Sequence, residues 1–341
     1  MKKLYGIPIF IALLVFLVLR AEGQDIHLTQ YDHSFRLTNP ALTGLFDGEH
    51  RIEGNFRRQW KRVPVDYVTF SGSYDSNFQP RNSENSLFGY GLALNYDRAG
   101  YSKLSLLDIN LLGSYSHFLN PHNVLTVGLT AGFNQRSFRE DDLTWDQQYQ
   151  NGQFNEGLPS GENLSNLNNT FFNLAGGVNY RFQNEKNQLN IGGGFFNLLR
   201  PNQNFFENTD EIRLPLRSSV YIDYWLALSS KVRWNLTGNA QWQGPYEEQN
   251  MGTKFEFQLI QKRGSDLYVS LGSYVRLSNR WDAVSPYIGA RLNNVDVGFS
   301  YDINVSRFNI ATENRGGPEV WVRYIIKDVD RIQDFKTCRI Y

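Results

Sequence analysis

The feature that most constrains this chain is a strict alternation of apolar residues with small or polar residues, repeated in about fourteen short segments. From Phe88 to Tyr96, every second residue is aromatic or leucine, and the residues between them are glycine, alanine or asparagine. A period of two places alternate side chains on opposite faces of an extended strand. Each segment is therefore predicted to be a strand with one apolar face. The segments cover roughly residues 50–60, 67–75, 88–96, 103–119, 124–134, 172–181, 187–196, 218–228, 232–239, 250–260, 267–275, 283–292, 295–301 and 318–327.

Composition decides what such strands build. Aromatic residues make up 15% of the chain, glycine accounts for 29 residues, and the mean hydropathy is −0.46. The strands of a transmembrane barrel alternate lipid-facing and lumen-facing residues, so they are not hydrophobic on average. A soluble β-sandwich, the alternative, needs far more apolar packing between its two sheets. We therefore predict an all-β fold, a transmembrane antiparallel β-barrel of about 14 strands over residues 50–327 with an irregular N-terminal arm.

Charge and cysteine content exclude several classes of protein. Lysine plus arginine and aspartate plus glutamate both total 34, so no net charge favours nucleic acid or an anionic membrane surface. The only cysteine is Cys338, which rules out a disulfide within the chain and any C-x-x-C metal or redox motif. We expect outer-membrane lipid, and no nucleic acid, as a partner.

The first 23 residues have the pattern of a signal peptide. Lys2 and Lys3 precede an apolar run from Ile7 to Leu19, which is too short to span a bilayer comfortably. Small residues around Gly23 place the predicted cleavage site before Gln24. An uncleaved anchor is the alternative, although charged residues end the apolar run.

An even strand count and export by a signal peptide predict that both termini are periplasmic. Residues 24–49 are then a periplasmic arm or a plug of the barrel, and residues 328–341 are a periplasmic tail. Loop lengths agree with this orientation, because the longest predicted connections, 137–168, 197–217 and 302–317, all fall on the external side. The predicted periplasmic turns, 120–122, 183–186, 229–231 and 293–294, are short.

No catalytic or cofactor motif is recognisable. The five histidines include no H-E-x-x-H or other close metal pair, and no nucleophile stands beside a plausible base. The acidic stretch Glu140-Asp141-Asp142 with Asp146 has the ligand type that calcium prefers, but its spacing matches no ion-binding loop and favours a solvated surface. The sequence predicts a protein without enzymatic activity, cofactor or metal.

Several motifs follow one another in an order that resembles a known family. The mature amino terminus contains Gln-Asp, then Gln30-Tyr31, then the box Asn39-Pro40-Ala41-Leu42-x-Gly44. Further matches are the aromatic-Arg-x-Gln-Trp segment ending at Trp60, the Ser-x-Asp strand ending at Asp75, and the glycine-rich strand beginning at Phe88. A lone cysteine lies near the aromatic carboxyl terminus, followed by arginine where the family often has proline. Over essentially the whole mature chain, the protein resembles the PorP/SprF family of type IX secretion outer-membrane proteins of Bacteroidota.

The resemblance implies a non-enzymatic outer-membrane partner of the type IX secretion system. It implies a large adhesin-like cargo with a C-terminal sorting domain, which this barrel secretes, retains or displays at the cell surface. Other family members link the secretion and gliding machinery, with its motor-ring proteins, to the cell wall through a peptidoglycan-binding periplasmic lipoprotein. A porin or hydrophobic-solute channel is a third hypothesis, since glycine, asparagine and arginine are predicted to face the lumen.

These roles assign candidate residues to opposite faces. Cargo would bind the external loops, whose aromatic residues are common interface anchors. Ordinary loop packing is the alternative for each of them. These candidates are Trp145, Tyr149, Phe154, Phe205 and Phe206. A periplasmic partner, or the interior of a plugged barrel, would instead involve the arm and the tail. These candidates are Gln30, Tyr31, Asn39, Pro40 and Cys338.

Overall fold

The computed structural model describes ten stretches of the chain. These are residues 25–60, 66–83, 85–100, 102–139, 143–161, 167–205, 211–262, 264–278, 280–306 and 313–327. The predicted signal peptide and tail lie outside them, as do the candidate residues Phe206 and Cys338.

Within these stretches, fourteen antiparallel strands form a closed barrel, in which the first strand pairs with both the second and the last. The strands are β1 (His50–Gln59), β2 (Tyr67–Phe78), β3 (Ser86–Ala99), β4 (Leu104–Asn120), β5 (Asn123–Ser137), β8 (Asn168–Gln183), β9 (Asn187–Phe196), β10 (Arg217–Ala227), β11 (Val232–Gln243), β12 (Tyr246–Lys262), β13 (Ser265–Ser278), β14 (Arg280–Leu292), β15 (Val295–Asn304) and β16 (Arg315–Ile326). The two remaining strands, β6 (Tyr149–Gln150) and β7 (Gln153–Phe154), form a small hairpin in the loop after β5. The predicted fold and strand count are confirmed, and most strands extend a few residues beyond the predicted limits.

The barrel is apolar outside and polar inside, as alternation in a membrane requires. Leu129 is 70% exposed on the outer surface, whereas its neighbour Thr130 faces inward. Lumen-facing Thr126, Asn235 and Glu319 are fully buried. The interior therefore holds polar and charged side chains, which must find partners within the lumen.

The two ends of the barrel differ in their connections. At one end, called the short-turn end, strands are joined across 79–85, 121–122, 184–186, 228–231, 263–264 and 293–294. The opposite end, called the long-loop end, has the two longest connections, 138–167 and 197–216. The barrel thus has the predicted asymmetry.

Residues 25–48, called the lumenal segment, pass through the interior of the barrel before β1 begins. Asp25 hydrogen-bonds Gln243 at the long-loop end, and Gly48 lies against Ile326 at the short-turn end. The segment contains single helical turns at Tyr31–His33, Phe35–Thr38 and Pro40–Leu42. The sequence left two positions open for this segment, an arm below the barrel or a plug inside the lumen. Residues 25–48 lie inside the lumen.

The buried apolar contacts of the barrel form where the lumenal segment meets the wall. Tyr31 packs with wall residues Tyr274, Tyr287 and Trp321. On the opposite side of the lumen, Phe35 packs with residues of β3 and β4. No helix in the described ranges is long and apolar enough to cross a membrane.

Candidate functional site

The Asn-Pro-Ala box sits against two glycines of the wall. Asn39 is fully buried, donates through Nδ2 to the carbonyl of Val178 at 2.8 Å, and accepts from the backbone N–H of Ala41 at 2.9 Å. It therefore caps the following helical turn while binding the wall. A side chain at Gly177 would collide with Asn39, and one at Gly128 would collide with the backbone of Ala41. The glycines permit this close approach.

Glu319 on β16 binds the backbone of the lumenal segment. Its two carboxylate oxygens accept the N–H groups of Thr29 at 2.9 Å and Gln30 at 2.8 Å. The Gln30 side chain donates to Ser300 Oγ at 2.8 Å and to the Glu319 carbonyl at 3.1 Å. Four hydrogen bonds therefore attach Thr29 and Gln30 to β15 and β16.

A second carboxylate, Asp302, lies beside this attachment in a buried ion-pair network. Asp302 Oδ2 is 2.8 Å from Arg57 Nη2 and 3.0 Å from Arg276 Nη1, and all three residues are at most 3% exposed. Asp302 also accepts hydrogen bonds from Thr29 Oγ1 and Ser285 Oγ. Buried ion pairs are tolerated when further hydrogen bonds satisfy both partners, as they do here.

The next turn of the lumenal segment binds β12, β13 and β16. Lys254 Nζ donates to Asp32 and lies 3.1 Å from His33 Nε2, while the Tyr274 hydroxyl donates to Asp32 Oδ1 at 2.9 Å. The His33 ring stacks on Trp321 with 3.6 Å between ring centres.

His33 is neutral in this position. An ammonium group can only donate, so Nε2 of His33 accepts from Lys254 and the ring proton is on Nδ1. Burial lowers the pKa of His33 well below its ordinary value, and the nearby Asp32 carboxylate only partly opposes this. His33 belongs to the lumenal segment, outside the membrane-spanning strands.

The start of the lumenal segment is bound to the base of a long loop. Asp25 Oδ2 is 3.2 Å from Arg217 Nε and accepts from Asn197 Nδ2 at 2.9 Å. Asn197 is the first residue of the connection 197–216, and Arg217 begins the strand that follows it. Asn197 also donates to the carbonyl of Pro215 at 3.2 Å. Asp25 therefore joins both ends of this loop of the long-loop end to the lumenal segment.

The other end of the lumenal segment is fixed to β1 and β2. The N–H of Gly44 donates to Asp75 Oδ2 at 2.7 Å, and Arg51 Nη2 donates to the same oxygen at 2.7 Å. Asn77 Nδ2 donates to the carbonyls of Gly44 and Gly48. Both ends of the segment and its middle are thus bound to the barrel wall.

Below the lumenal segment, a cavity of about 770 Å³ opens at the short-turn end. Tyr31, Phe35 and Phe46 contribute to its lining from the lumenal segment. Its walls carry charges of both signs, supplied by Arg181, Arg233, Arg291, Arg323, Asp223, Glu256 and Asp296.

The long-loop end carries exposed aromatic side chains. Tyr149 of β6 pairs with Phe154 of β7, and they are 61% and 43% exposed. Trp145 is half-buried at the start of a short helical turn in the same loop. Phe205 is half-buried and packs on Phe138. The candidate residues thus differ: the hairpin pair is exposed, whereas Phe205 packs against another loop residue.

The candidates Gln30, Tyr31, Asn39 and Pro40 all lie inside the barrel. Sequence reasoning missed their charged counterparts in the wall. Those residues are Arg57, Asp75, Lys254, Arg276, Asp302 and Glu319. The sequence did contain a signal for these residues, because each is a charged residue on the lumen-facing side of a barrel strand. A charge buried in the lumen needs a partner there, which the lumenal segment can supply.

Among the described residues, no group of three or more histidine, cysteine, aspartate or glutamate side chains is placed to bind a metal ion. Residues 140–142 of the acidic loop stretch lie outside the described part of the chain.

Comparison with known proteins identifies the family of this chain and structures with a similar fold. A family model described as "Type IX secretion system membrane protein PorP/SprF" matches residues 20–324. No curated protein matches the chain significantly.

Among solved structures, the CymD monoaromatic hydrocarbon channel is 8% identical, with a TM-score of 0.50 over 87% of this chain and 93% of the channel. A FadL homologue of Pseudomonas aeruginosa is 10% identical, with a TM-score of 0.49 over 84% and 92%. The toluene transporter TbuX of Ralstonia pickettii is 9% identical, with a TM-score of 0.49 over 86% and 92%. At these identities, what is shared is the outer-membrane barrel fold alone.

Proposed function

The chain belongs to the PorP/SprF family of type IX secretion system membrane proteins, and from this premise we propose that it is a non-enzymatic component that retains a secreted cargo at the cell surface. It binds the C-terminal sorting domain of an adhesin-like cargo at the long-loop end of the barrel. The lumenal segment supports that surface from within.

The exposed hairpin β6–β7 carries this proposal. Tyr149 and Phe154 are 61% and 43% exposed, and Ile212 of the neighbouring loop is 59% exposed. Large apolar side chains in external loops are typical of surfaces that a partner covers, and aromatic residues are frequent anchors of such interfaces.

The filled lumen supports anchoring over conduction. CymD is a channel, which makes conduction the competing hypothesis for a barrel of this fold. Here, however, Gln30, Ser34, Asn39 and Thr43 are fully buried across the interior. A polypeptide bound on several sides of the lumen leaves little room for solute passage.

The short-turn end favours a second candidate function, a link to the cell envelope. Its cavity of about 770 Å³ has charged walls accessible from the side predicted to be periplasmic. A peptidoglycan-binding lipoprotein or a motor-ring component is the partner expected there. The two roles use opposite ends and are compatible.

Site-specific photocrosslinking tests both roles. The photoreactive residue p-benzoylphenylalanine replaces Tyr149 or Phe154 at the long-loop end, and Glu185 or Lys231 at the short-turn end. The same replacement at lipid-facing Leu129, which is 70% exposed, gives the background. Partners are purified through a tag on the barrel and identified by mass spectrometry.

Crosslinks from Tyr149 and Phe154 to the C-terminal domain of a large surface protein are expected. Crosslinks of that cargo only from Glu185 and Lys231 would contradict cargo binding at the long-loop end. A periplasmic lipoprotein captured at the short-turn positions supports the second role. No partner above the Leu129 background at either end would contradict both roles.

A further inference from the structure

The barrel wall has a step between β8 and β9 at the long-loop end. β5 pairs with β8 from Asn168 to Phe182, so one edge of β8 is covered along almost its whole length. On the other edge, pairing with β9 begins only at Gly176, which is next to the position facing Phe195. Among the described residues, no strand pairs with this second edge of β8 over residues 168–175, which we call the open edge.

Alternate backbone groups of the open edge point away from β5. The Leu174 carbonyl accepts from the N–H of Leu198 at 3.0 Å, so the backbone groups of Leu174 are directed to the side of β9. Since this direction alternates along a strand, Thr170 and Phe172 also direct their N–H and C=O groups to that side. In the described part of the chain, these groups of Thr170 and Phe172 have no backbone partner there.

The connection 197–216 approaches the open edge without pairing along it. Asn169, whose side chain faces the lumen, donates through Nδ2 to the carbonyls of Asn202 and Asn204 at 3.2 and 3.1 Å. These hydrogen bonds hold the connection against the lumenal face of β8. On the outer face, Thr170 is exposed and Phe172 is 51% exposed. The open edge is therefore accessible from outside the barrel.

The side chains along the open edge place it beyond the hydrocarbon core of the membrane. Phe172 faces Phe133 across the β5–β8 pair, and both point outward. The next outward pair toward the long-loop end, Thr170 and Gln135, is polar. Aromatic side chains followed by polar ones are typical of the membrane boundary. Water can hydrogen-bond an unpaired backbone there, whereas lipid could not.

We propose that an extended strand of the secreted cargo pairs with the open edge. This inference rests on the proposed function, which places the cargo's C-terminal domain at the long-loop end. Unpaired N–H and C=O groups at strand spacing are a template for another strand, and a lipid head group cannot match them. The open edge is also continuous with the proposed cargo surface, because the connection 138–167, which carries the β6–β7 hairpin, leads directly into β8.

The outer face of β8 specifies one side chain of the added strand. In such a strand, every second side chain lies on the outer face, beside the outward row of β8. The residue placed next to Phe172 would contact an exposed aromatic ring, and its neighbour in that row would lie beside Thr170. We therefore expect the cargo strand to carry an apolar residue opposite Phe172 and a polar residue opposite Thr170.

Hydrogen exchange of the purified, detergent-solubilised barrel tests whether the edge is open. The amides of Phe171 and Asn173 point to β5 and should be protected, whereas those of Thr170 and Phe172 should exchange rapidly. Mass spectrometry with electron-transfer fragmentation resolves neighbouring amides. Equal protection of all four amides would show that the chain itself covers the edge, and would overturn the proposal.

The same measurement on the barrel with its cargo attached tests the pairing. The complex is formed by photocrosslinking from p-benzoylphenylalanine in place of Tyr149 and is purified through the tag on the barrel. The amides of Thr170 and Phe172 should then become protected as well. Unchanged exchange of both amides in the complex would overturn the proposal.

Proline provides a test in cells. Thr170→Pro removes an N–H group from the open edge and leaves the pairing with β5 in place, because that N–H points away from β5. Thr170→Val is the matched control, since it changes the side chain and keeps the N–H. Thr170→Pro should lower the yield of the cargo crosslink from position 149 by about tenfold, and Thr170→Val should leave it close to that of the parent. Protection of the Phe171 and Asn173 amides shows that the Thr170→Pro barrel is folded.

The outcomes separate this inference from the proposed function. A parent barrel that captures no cargo at the long-loop end contradicts the proposed function, and strand pairing falls with it. Cargo capture that is intact in the parent and undiminished in a folded Thr170→Pro barrel would overturn strand pairing alone. Equal losses in Thr170→Pro and Thr170→Val would also overturn it, because the side chain and not the backbone would then be responsible. Capture of a second copy of the barrel in place of a surface protein would contradict both.

Discussion

Replacing Glu319 with alanine should release the lumenal segment from the wall. The Glu319 carboxylate accepts two backbone N–H groups, from Thr29 and Gln30, at 2.9 and 2.8 Å. A hydrogen bond contributes about 0.5–1.5 kcal/mol net, so loss of both bonds should weaken docking by about 1–3 kcal/mol. Because 1.4 kcal/mol is a factor of ten, the undocked fraction of the lumenal segment should rise about 5–150-fold.

Cysteine labelling measures the undocked fraction. Ser34 is fully buried in the lumenal segment, and Cys338 is the only native cysteine. Ser34→Cys in a Cys338→Ser background should therefore react with a maleimide only when the segment leaves its site. When redocking is faster than labelling, the labelling rate is proportional to the open population.

The matched control is Glu256→Ala. Glu256 is also buried and pairs with Arg291 at 3.0 Å, but it lies in the short-turn cavity. In the Glu256→Ala variant, the thiol introduced by Ser34→Cys should be labelled at a rate close to that of the parent. Less than a twofold increase in Glu319→Ala, or an equal increase in Glu256→Ala, would refute the assignment of Glu319 as an attachment point.

Three further outcomes are expected. Gly128→Val should displace the lumenal segment, because a side chain at 128 collides with the backbone of Ala41, and the same labelling assay should detect this; unchanged labelling would contradict the close contact. Burial lowers the pKa of His33, so the imidazole stays neutral while the lumenal segment is docked. Docking should therefore not change with pH above about 6.5, the ordinary pKa of histidine, and should weaken as the pH falls below that value. The variant His33→Gln should lack this pH dependence. Alanine at both Tyr149 and Phe154 should reduce cargo retained on cells by about tenfold, at unchanged barrel abundance, and undiminished retention would place the cargo elsewhere.

Conductance in planar bilayers separates the plugged barrel from the channel. The full chain should conduct weakly, and deletion of residues 25–44 should raise conductance. Equal conductance in both proteins would show that the lumenal segment does not close the barrel. The experiment is independent of cargo.

Sequence reasoning located all fourteen barrel strands because each carries its own signal. In β5, Leu125 and Val127 face outward while Val124 and Thr126 face inward, and this assignment needs only the period of the strand. Strand ends were less well defined: β12 begins at Tyr246 and not near 250, because polar residues at the ends of barrel strands no longer alternate with apolar ones. The two-residue strands of the β6–β7 hairpin were too short to be recognised.

The site itself was only partly predictable. Gln30, Tyr31 and Asn39 were selected as parts of a motif, but their partners were not. Thr29 and Asp302 are separated by 273 positions in the chain, and no local pattern joins them. Their contact forms only when β1 pairs with β16 and closes the lumen around the segment.

The sequence by itself determined the class of the protein, its strands, and which face of each strand meets lipid, because a membrane imposes the same period on every strand. Only the tertiary structure decided the course of residues 25–48. An irregular segment has no period from which to read its surroundings, and its hydrogen bonds go to wall residues that barrel closure brings together. Whether such a segment lies below a barrel or inside it depends on the sum of those long-range contacts, from Glu319 and Asp302 at one end to Asp75 at the other.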